Sequence, residues 1–345
     1  MREGYTVAIV GAGLVGERLV SELRRRQFPL KELRVLARSA RRAVLAGETF
    51  EVGVAEPAAF EGVDFAFFAG TEGEKGAAVQ LAQEAISRGA VVIDNGSDFR
   101  LDPGVPLVVP EVNADALKDH KGLIANANCS TIQMVVTLAP LWREFGLRKV
   151  VVSTYQAVSG SGRAGVEALE AGREDVYPKP IIGNAIPLIG GVGEDGYTTE
   201  EKKMREESRK ILSLPDLEVH ATAVRIPVHS GHSESVYVET ERDASMPEVV
   251  EALRGAPGVV FSGDADDYPT PLEVAGEPGT YVGRIRVEGS SISYWCVADN
   301  LLKGAATNAV QIAEVLVGAR GVRPAWPSSR SGRLPKTTSR LSSRS

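Results

Sequence analysis

The stretch YTVAIVGAGLVG, residues 5–16, decides the fold. Its apolar run TVAIV reads as a short buried strand, and Gly11, Gly13 and Gly16 follow as G-x-G-x-x-G where a helical pattern starts near Leu14. Glycines at such a turn let a bound group approach the backbone closely, and the helix N-terminus offers unpaired N–H groups and positive potential to a pyrophosphate. Gly11, Gly13, Leu14, Val15 and Gly16 are therefore the residues expected against a dinucleotide. Working outward, LRVL, VDFAFF, AVVID and PLVVP continue as strand-like runs to about residue 125, with helical stretches at 14–26 and 73–88. That alternation is the βαβ pattern of a parallel, Rossmann-type α/β sheet.

After about residue 146 the strand-like runs lengthen and alternate: KVVVSTYQAV, LEVHATAVRIPV, SESVYVET and RIRVEGSSISYWCVA. They read as an α+β domain on a mixed, largely antiparallel sheet. A final apolar-periodic stretch near 301–317 is expected to be a helix that packs back on the first domain. The expected division is 1–129 for the nucleotide, rejoined by helix 301–318, and 130–300 for catalysis.

A chain of 345 residues that is 43% hydrophobic buries a core large enough for about two domains. No apolar run is long enough to cross a membrane, and the start MREGYTVAIVGAG enters a strand without a secretory pattern, so a cytoplasmic location is expected by default. The net charge is −6, yet residues 319–345 carry seven Arg or Lys and no acid. The remaining body is more acidic than the total, which argues against a nucleic-acid partner. The basic, Ser-rich end lacks periodic apolar positions and is expected to be disordered.

Where a free ribose 2′-OH calls for an acid after the second strand, the chain reads LRVLARSARR. Arg38, Ser39 and Arg41 instead suit a 2′-phosphate, so NADP is favoured over NAD. Cys129, in IANANCSTIQMVV, stands where an extended segment meets a helical pattern beginning near Ser130. There the macrodipole and nearby N–H donors are expected to favour a thiolate nucleophile. Cys296, inside ISYWCVAD, reads as a core cysteine. His229 and His232 share a polar turn in VRIPVHSGHSESVYVE, and spacing alone does not choose between them as acid/base. No Cys/His cluster supports a metal site.

These residues lie within segments that together resemble the aspartate-semialdehyde dehydrogenase family: AVVIDNGSDFRLDPGVPLVVPEVN, KGLIANANCSTIQMVV, VVSTYQAVSGSGRAGVEAL, GYTTEEKKM, VRIPVHSGHSES and VADNLLKGAATNAVQIAEVL. The resemblance spans residues 1–318. It implies interconversion of L-aspartate 4-semialdehyde and L-4-aspartyl phosphate with NADP and phosphate, through a Cys129 thioester, on the route to lysine or diaminopimelate, methionine, threonine and isoleucine. It implies Gln156 and His232 beside Cys129, with His232 rather than His229 as acid/base. Arg225 is implied for the substrate carboxylate and Glu200 for its ammonium. Arg100 and Lys203 are implied for phosphate, with Asn128 framing that pocket, and Ser159, Gly160 and Asn300 for the cofactor. A homodimer or homotetramer built through the second domain follows from the same resemblance. The chain departs from the family in its shorter G-A-G-L-V-G turn, its short ARSARR loop and Ala127 in place of proline. An N-acetyl-glutamyl-phosphate reductase type enzyme or a non-catalytic paralogue is the alternative; the first has no need of Glu200, and intact Cys129, Gln156, Arg225 and His232 argue against the second.

Overall fold

The computed structural model of the chain describes residues 4–318 apart from 71, 264 and 265. The segment 319–345, expected to be disordered, lies outside the described residues. The first sheet comprises β1 (Tyr5–Val10), β2 (Leu30–Ala37), β3 (Arg41–Leu45), β4 (Glu48–Val54), β5 (Phe65–Phe68), β6 (Val91–Asp94), β7 (Leu107–Val108) and β8 (Leu123–Asn126). Their spatial order is β3-β4-β2-β1-β5-β6-β8-β7, parallel throughout except for the β3–β4 pair. Strand β1 is flanked by β2 on one side and β5 on the other, so the strand order reverses there and opens a crevice at the strands' carboxyl ends.

Helix α1 (Leu14–Arg25) matches expectation, whereas α2 (Ala77–Ser87) starts four residues later than expected. Gly73 takes φ 84° and accepts the Gly76 N–H, a turn that holds residues 73–76 out of the helix. The β3–β4 hairpin was not expected, because RRAVL opens on two arginines and ETFEVGV mixes Glu48, Thr49 and Glu51 with its apolar residues, so neither is an apolar run throughout. Its signal is the Ala46–Gly47 pair, with φ 51° and 80°, a two-residue turn of the hand that suits twisted strands. The PLVVP run shrinks to β7, and Pro110 opens the one-turn helix α3 (Pro110–Asn113).

Helix α4 (Cys129–Phe145) follows β8 and runs into the second half of the chain. Apolar nearly all round, it is buried along most of its length. Beyond it come β9 (Lys149–Gln156), α5 (Gly162–Ala171), α6 (Thr199–Leu212), β10 (Glu218–Arg225), β11 (His232–Glu239), α7 (Met246–Arg254), β12 (Val259–Phe261), α8 (Pro271–Val274), β13 (Thr280–Glu288) and β14 (Ser291–Ala298). The second sheet has the order β10-β9-β11-β14-β13-β12, with three antiparallel and two parallel pairs. The long run RIRVEGSSISYWCVA is two strands rather than one, because Gly289 (φ 58°) turns β13 back into β14.

Period-two alternation puts Val150, Val152, Val236, Val238, Ile292, Tyr294 and Cys296 into the core shared with α4. Each such aliphatic side chain contributes on the order of 1.5–3 kcal/mol. After β14 a π-helical turn, Leu302–Ala306, precedes α9 (Thr307–Gly318). The expected single helix is thus split. Ala309, Val310, Ile312 and Ala313 of α9 return to the core of the first sheet beside Val7, Ile9, Leu19 and Leu23.

Candidate active site

Two sheets deliver their strand ends to one cavity of about 580 Å³. From the first come the turn after β1, with Gly13, Leu14 and Val15, and residues 126–129 from the last residue of β8 onward. From the second come Gln156 at the end of β9 and Arg225 at the end of β10, paired in register, together with His232 at the start of β11 and Asn300 just after β14. Helix α6 adds Glu200 and Lys203, and the loop after β6 adds Arg100.

Cys129 is the first residue of α4, capped by Asn128. The Asn128 Oδ1 accepts N–H bonds from Ser130 at 3.0 Å and Thr131 at 3.2 Å. Those are the donors expected to stabilise a thiolate, and the cap has taken them. Although part of Cys129 faces the cavity, its walls desolvate the thiol and, with the charge of Glu200, push it up to about 12 against the pull of Arg225, Arg100 and Lys203. Cys129 is therefore held as a thiol near neutral pH, whereas the helix end by itself led to the expectation of a thiolate. Cys296 is fully buried, its Sγ 3.9 Å from the Gln133 carbonyl, and burial holds it well above its ordinary value.

The histidines separate. His232 is fully buried on the cavity wall, whereas His229 lies on the surface 3.8 Å from Glu170. His232 Nδ1 accepts the Ala157 N–H at 3.0 Å, so in the neutral ring the hydrogen sits on Nε2, which meets no protein partner. Burial and the neighbouring Arg225 hold this imidazole well below its ordinary value. Gly160 lies against both: a Cβ there would come within 2.7 Å of Arg225 Nη1 and 3.2 Å of His232 Nε2.

Glu200 Oε1 accepts from Gln156 Nε2 at 3.0 Å and from Asn128 Nδ2 at 2.9 Å, and Lys203 stands 3.6 Å away. Burial opposes its charge, but Lys203, these amides and Arg225 outweigh it, so Glu200 is held below the usual carboxylate range and is anionic. Gln156 Nε2 also donates to Ser130 Oγ at 2.6 Å. Arg225 donates to the Ala157 carbonyl while its Nε has no protein partner. Arg100 is buried between Glu207 Oε1 at 3.0 Å and the Asn95 carbonyl at 2.8 Å. Asn300 donates to Ser159 Oγ at 3.0 Å, and its Oδ1 accepts the Gly231 N–H.

Of the glycines, Gly13 leaves open space, while Gly16 serves packing: a Cβ there would lie 1.8 Å from the Gly11 carbonyl oxygen. Gly16 is absent from the cavity lining, and Gly11 lines a second cleft with Arg38, Ser39 and Arg41. That cleft also contains Lys75, which the sequence pattern did not single out because it lies in a Gly-rich turn rather than beside the second strand. Also missed were Asn95, Asn126, Glu207 and Gly304. Glu207 was legible in principle, since it follows Glu200 and Lys203 at helical spacing in TTEEKKMREESRK. Gly304 was not, since a Cβ there would meet Cys129 Cβ at 2.8 Å only through the fold. Among the described residues no His, Cys, Asp and Glu cluster suits a metal ion, and no helix is long and apolar enough to cross a membrane.

A dinucleotide-binding sheet opening onto a capped cysteine, a buried histidine and a pair of opposite charges fits the class of nucleotide-dependent oxidoreductases that act on an aldehyde group. Family models described as "Semialdehyde dehydrogenase, NAD binding domain" and "Semialdehyde dehydrogenase, dimerisation domain" match residues 6–120 and 138–303. The chain is 45% identical over 343 residues to the aspartate-semialdehyde dehydrogenase of Bacillus subtilis (strain 168), with 92% of this chain and 98% of that protein covered. It is 47% identical over 338 residues to that of Aquifex aeolicus (strain VF5), with 91% and 98% covered. Among solved structures, aspartate semialdehyde dehydrogenase II of Vibrio cholerae complexed with ASA superposes with a TM-score of 0.86 at 40% identity, with 91% of this chain and 98% of that chain covered. The chain belongs to the aspartate-semialdehyde dehydrogenase family.

Proposed function

We propose that the chain interconverts L-aspartate 4-semialdehyde and L-4-aspartyl phosphate through a Cys129 thioester, with inorganic phosphate and NADP. The observation that carries this reading is the pair of opposite charges on one cavity wall: anionic Glu200 and the buried cation Arg225, both beside Cys129. A free amino acid needs an anion for its ammonium and a fork of donors for its carboxylate. An N-acylated substrate would bring no ammonium to Glu200 and leave it with Lys203 as its one close cation. The ASA complex of the Vibrio cholerae relative supports the same substrate.

In the phosphorylating direction Cys129 adds to the aldehyde once its proton has left, giving a thiohemiacetal. The resting His232 tautomer offers Nε2–H to the oxygen that gains charge in this step. Taking the thiol proton requires His232 to give up the Ala157 bond and move its own hydrogen to Nδ1, so base action is coupled to a tautomer change. Gln156 orients the adduct, tied to Glu200 and to Ser130 beside the nucleophile. Bound NADP supplies the hydride acceptor. Arg100 and Lys203 hold phosphate for attack on the thioester.

For the cofactor, the turn Gly11–Gly16, Ser159, Gly160 and Asn300 serve the pyrophosphate and nicotinamide end, and Arg38, Ser39, Arg41 and Lys75 the 2′-phosphate. On this reading residues 1–129 with 301–318 form the nucleotide unit and 130–300 the catalytic unit. Through its dimerisation domain the chain forms oligomers. We assign a homodimer to the partly exposed sheet face bearing Val151, Tyr155, Tyr237 and Trp295, opposite α4. NADPH formation from aspartate semialdehyde should require phosphate; equal rates with and without phosphate would overturn the assignment.

A further inference from the structure

We propose that Glu207 is a positioning residue for this reaction, one carboxylate that fixes the nucleophile's turn and the phosphate cation relative to each other. The proposal rests on the thioester reading above. Glu207 follows Glu200 and Lys203 along one face of α6 and is 1% exposed. Its Oε2 accepts the backbone N–H of Asn128 at 2.7 Å, and its Oε1 accepts Arg100 Nη1 at 3.0 Å. Asn128 is the residue whose side chain caps α4 immediately before Cys129 and also holds Glu200. The carboxylate therefore reaches the nucleophile through one residue and the guanidinium directly.

Two consequences follow from its chemistry. Its span sets how far the Arg100 cation stands from the Cys129 turn, hence how phosphate meets the thioester, and an error of about 1 Å there costs roughly 10²-fold. Its charge compensates a buried cation, so removing the charge should strengthen anion binding at Arg100 while leaving the anion badly aimed. A residue that merely supported the fold would lower the active fraction without separating these two effects.

The separation is testable with two variants assayed for phosphate-dependent NADPH formation. Glu207→Gln keeps the shape but loses the charge and can accept only one of the two bonds; kcat should fall about 10- to 100-fold while the phosphate KM falls at least threefold. Glu207→Asp keeps the charge but is one methylene short; kcat should fall about tenfold or more with the phosphate KM within twofold of wild type. Rates are normalised to Cys129 thiols titrated with iodoacetamide. Glu207→Gln with kcat within twofold of wild type, or with a raised phosphate KM, overturns the proposal. If that variant does not fold, Glu207→Asp decides, and a kcat within twofold of wild type overturns it. A wild-type enzyme that makes NADPH without phosphate would instead overturn the reaction assignment.

Discussion

Cys129 and Cys296 share a side chain and differ in everything around it. Cys129 opens partly onto a charged cavity, and Cys296 is sealed in the core. Cys129→Ala should abolish turnover with the fold intact, and Cys296→Ala should retain most activity, as steady-state rates and thermal melts of both will show. Because the Cys129 thiol is pushed up to about 12 and His232 is held well below its ordinary value, both are neutral near pH 7 in the resting site. The thiolate fraction then grows tenfold per pH unit across pH 6–9, so iodoacetamide should alkylate Cys129 with a log-linear pH dependence. A plateau below pH 8 would show a preformed thiolate instead. For the histidines, His232→Asn should lower kcat by about 10²–10⁴ and His229→Asn by less than about tenfold. A reversed order would remove the acid/base assignment and bring that of Arg225 into question. Sequence placed both histidines in one turn; burial separated them, because Gly231 (φ 92°) turns the chain into β11 at His232 while His229 is left outside.

At the scale of elements, Cys129 is held by a helix start, a neighbouring helix face and a π-helical turn. The helix start was legible as a junction, since an extended segment meets an apolar helical run near Ser130, but the Asn128 cap belongs to the structure. Helix α6 was less so: Glu200 and Lys203 enter only through the family resemblance and Glu207 not at all, because the burial of both glutamates depends on partners from other elements. The sequence predicts ordinary helix at the π-helical turn, since its bulge answers to what it packs against. Gly304 lies against Cys129, and a Cβ there would come within 2.8 Å of Cys129 Cβ and 3.2 Å of its Cα. Gly304→Ala should therefore push Cys129 aside, costing about 1–3 kcal/mol of stability and at least tenfold in kcat. A melt and rate unchanged from wild type would show that the turn gives way without moving Cys129.

At the scale of the whole molecule, the cleft proposed for the cofactor's 2′-phosphate is lined by segments far apart in sequence. Arg41 opens β3 and Lys75 precedes α2, yet both line one cleft with Arg38 and Ser39. Arg41→Ala and Lys75→Ala should each weaken NADPH binding by roughly 1–3 kcal/mol more than NADH binding, measured by fluorescence titration. Equal losses for the two cofactors would make these cations structural. What the sequence by itself determined is whatever depends on local chemistry: the glycine turn, strand periodicity, the missing acid after β2 and a cysteine at a strand-to-helix junction. The tertiary structure alone decided which of the charged residues became a site. Burial turns a solvated charge into one that must be paired, and pairing of Glu200 with Gln156 and Asn128, or of Glu207 with Arg100, exists only after distant strand ends and helices have been brought together.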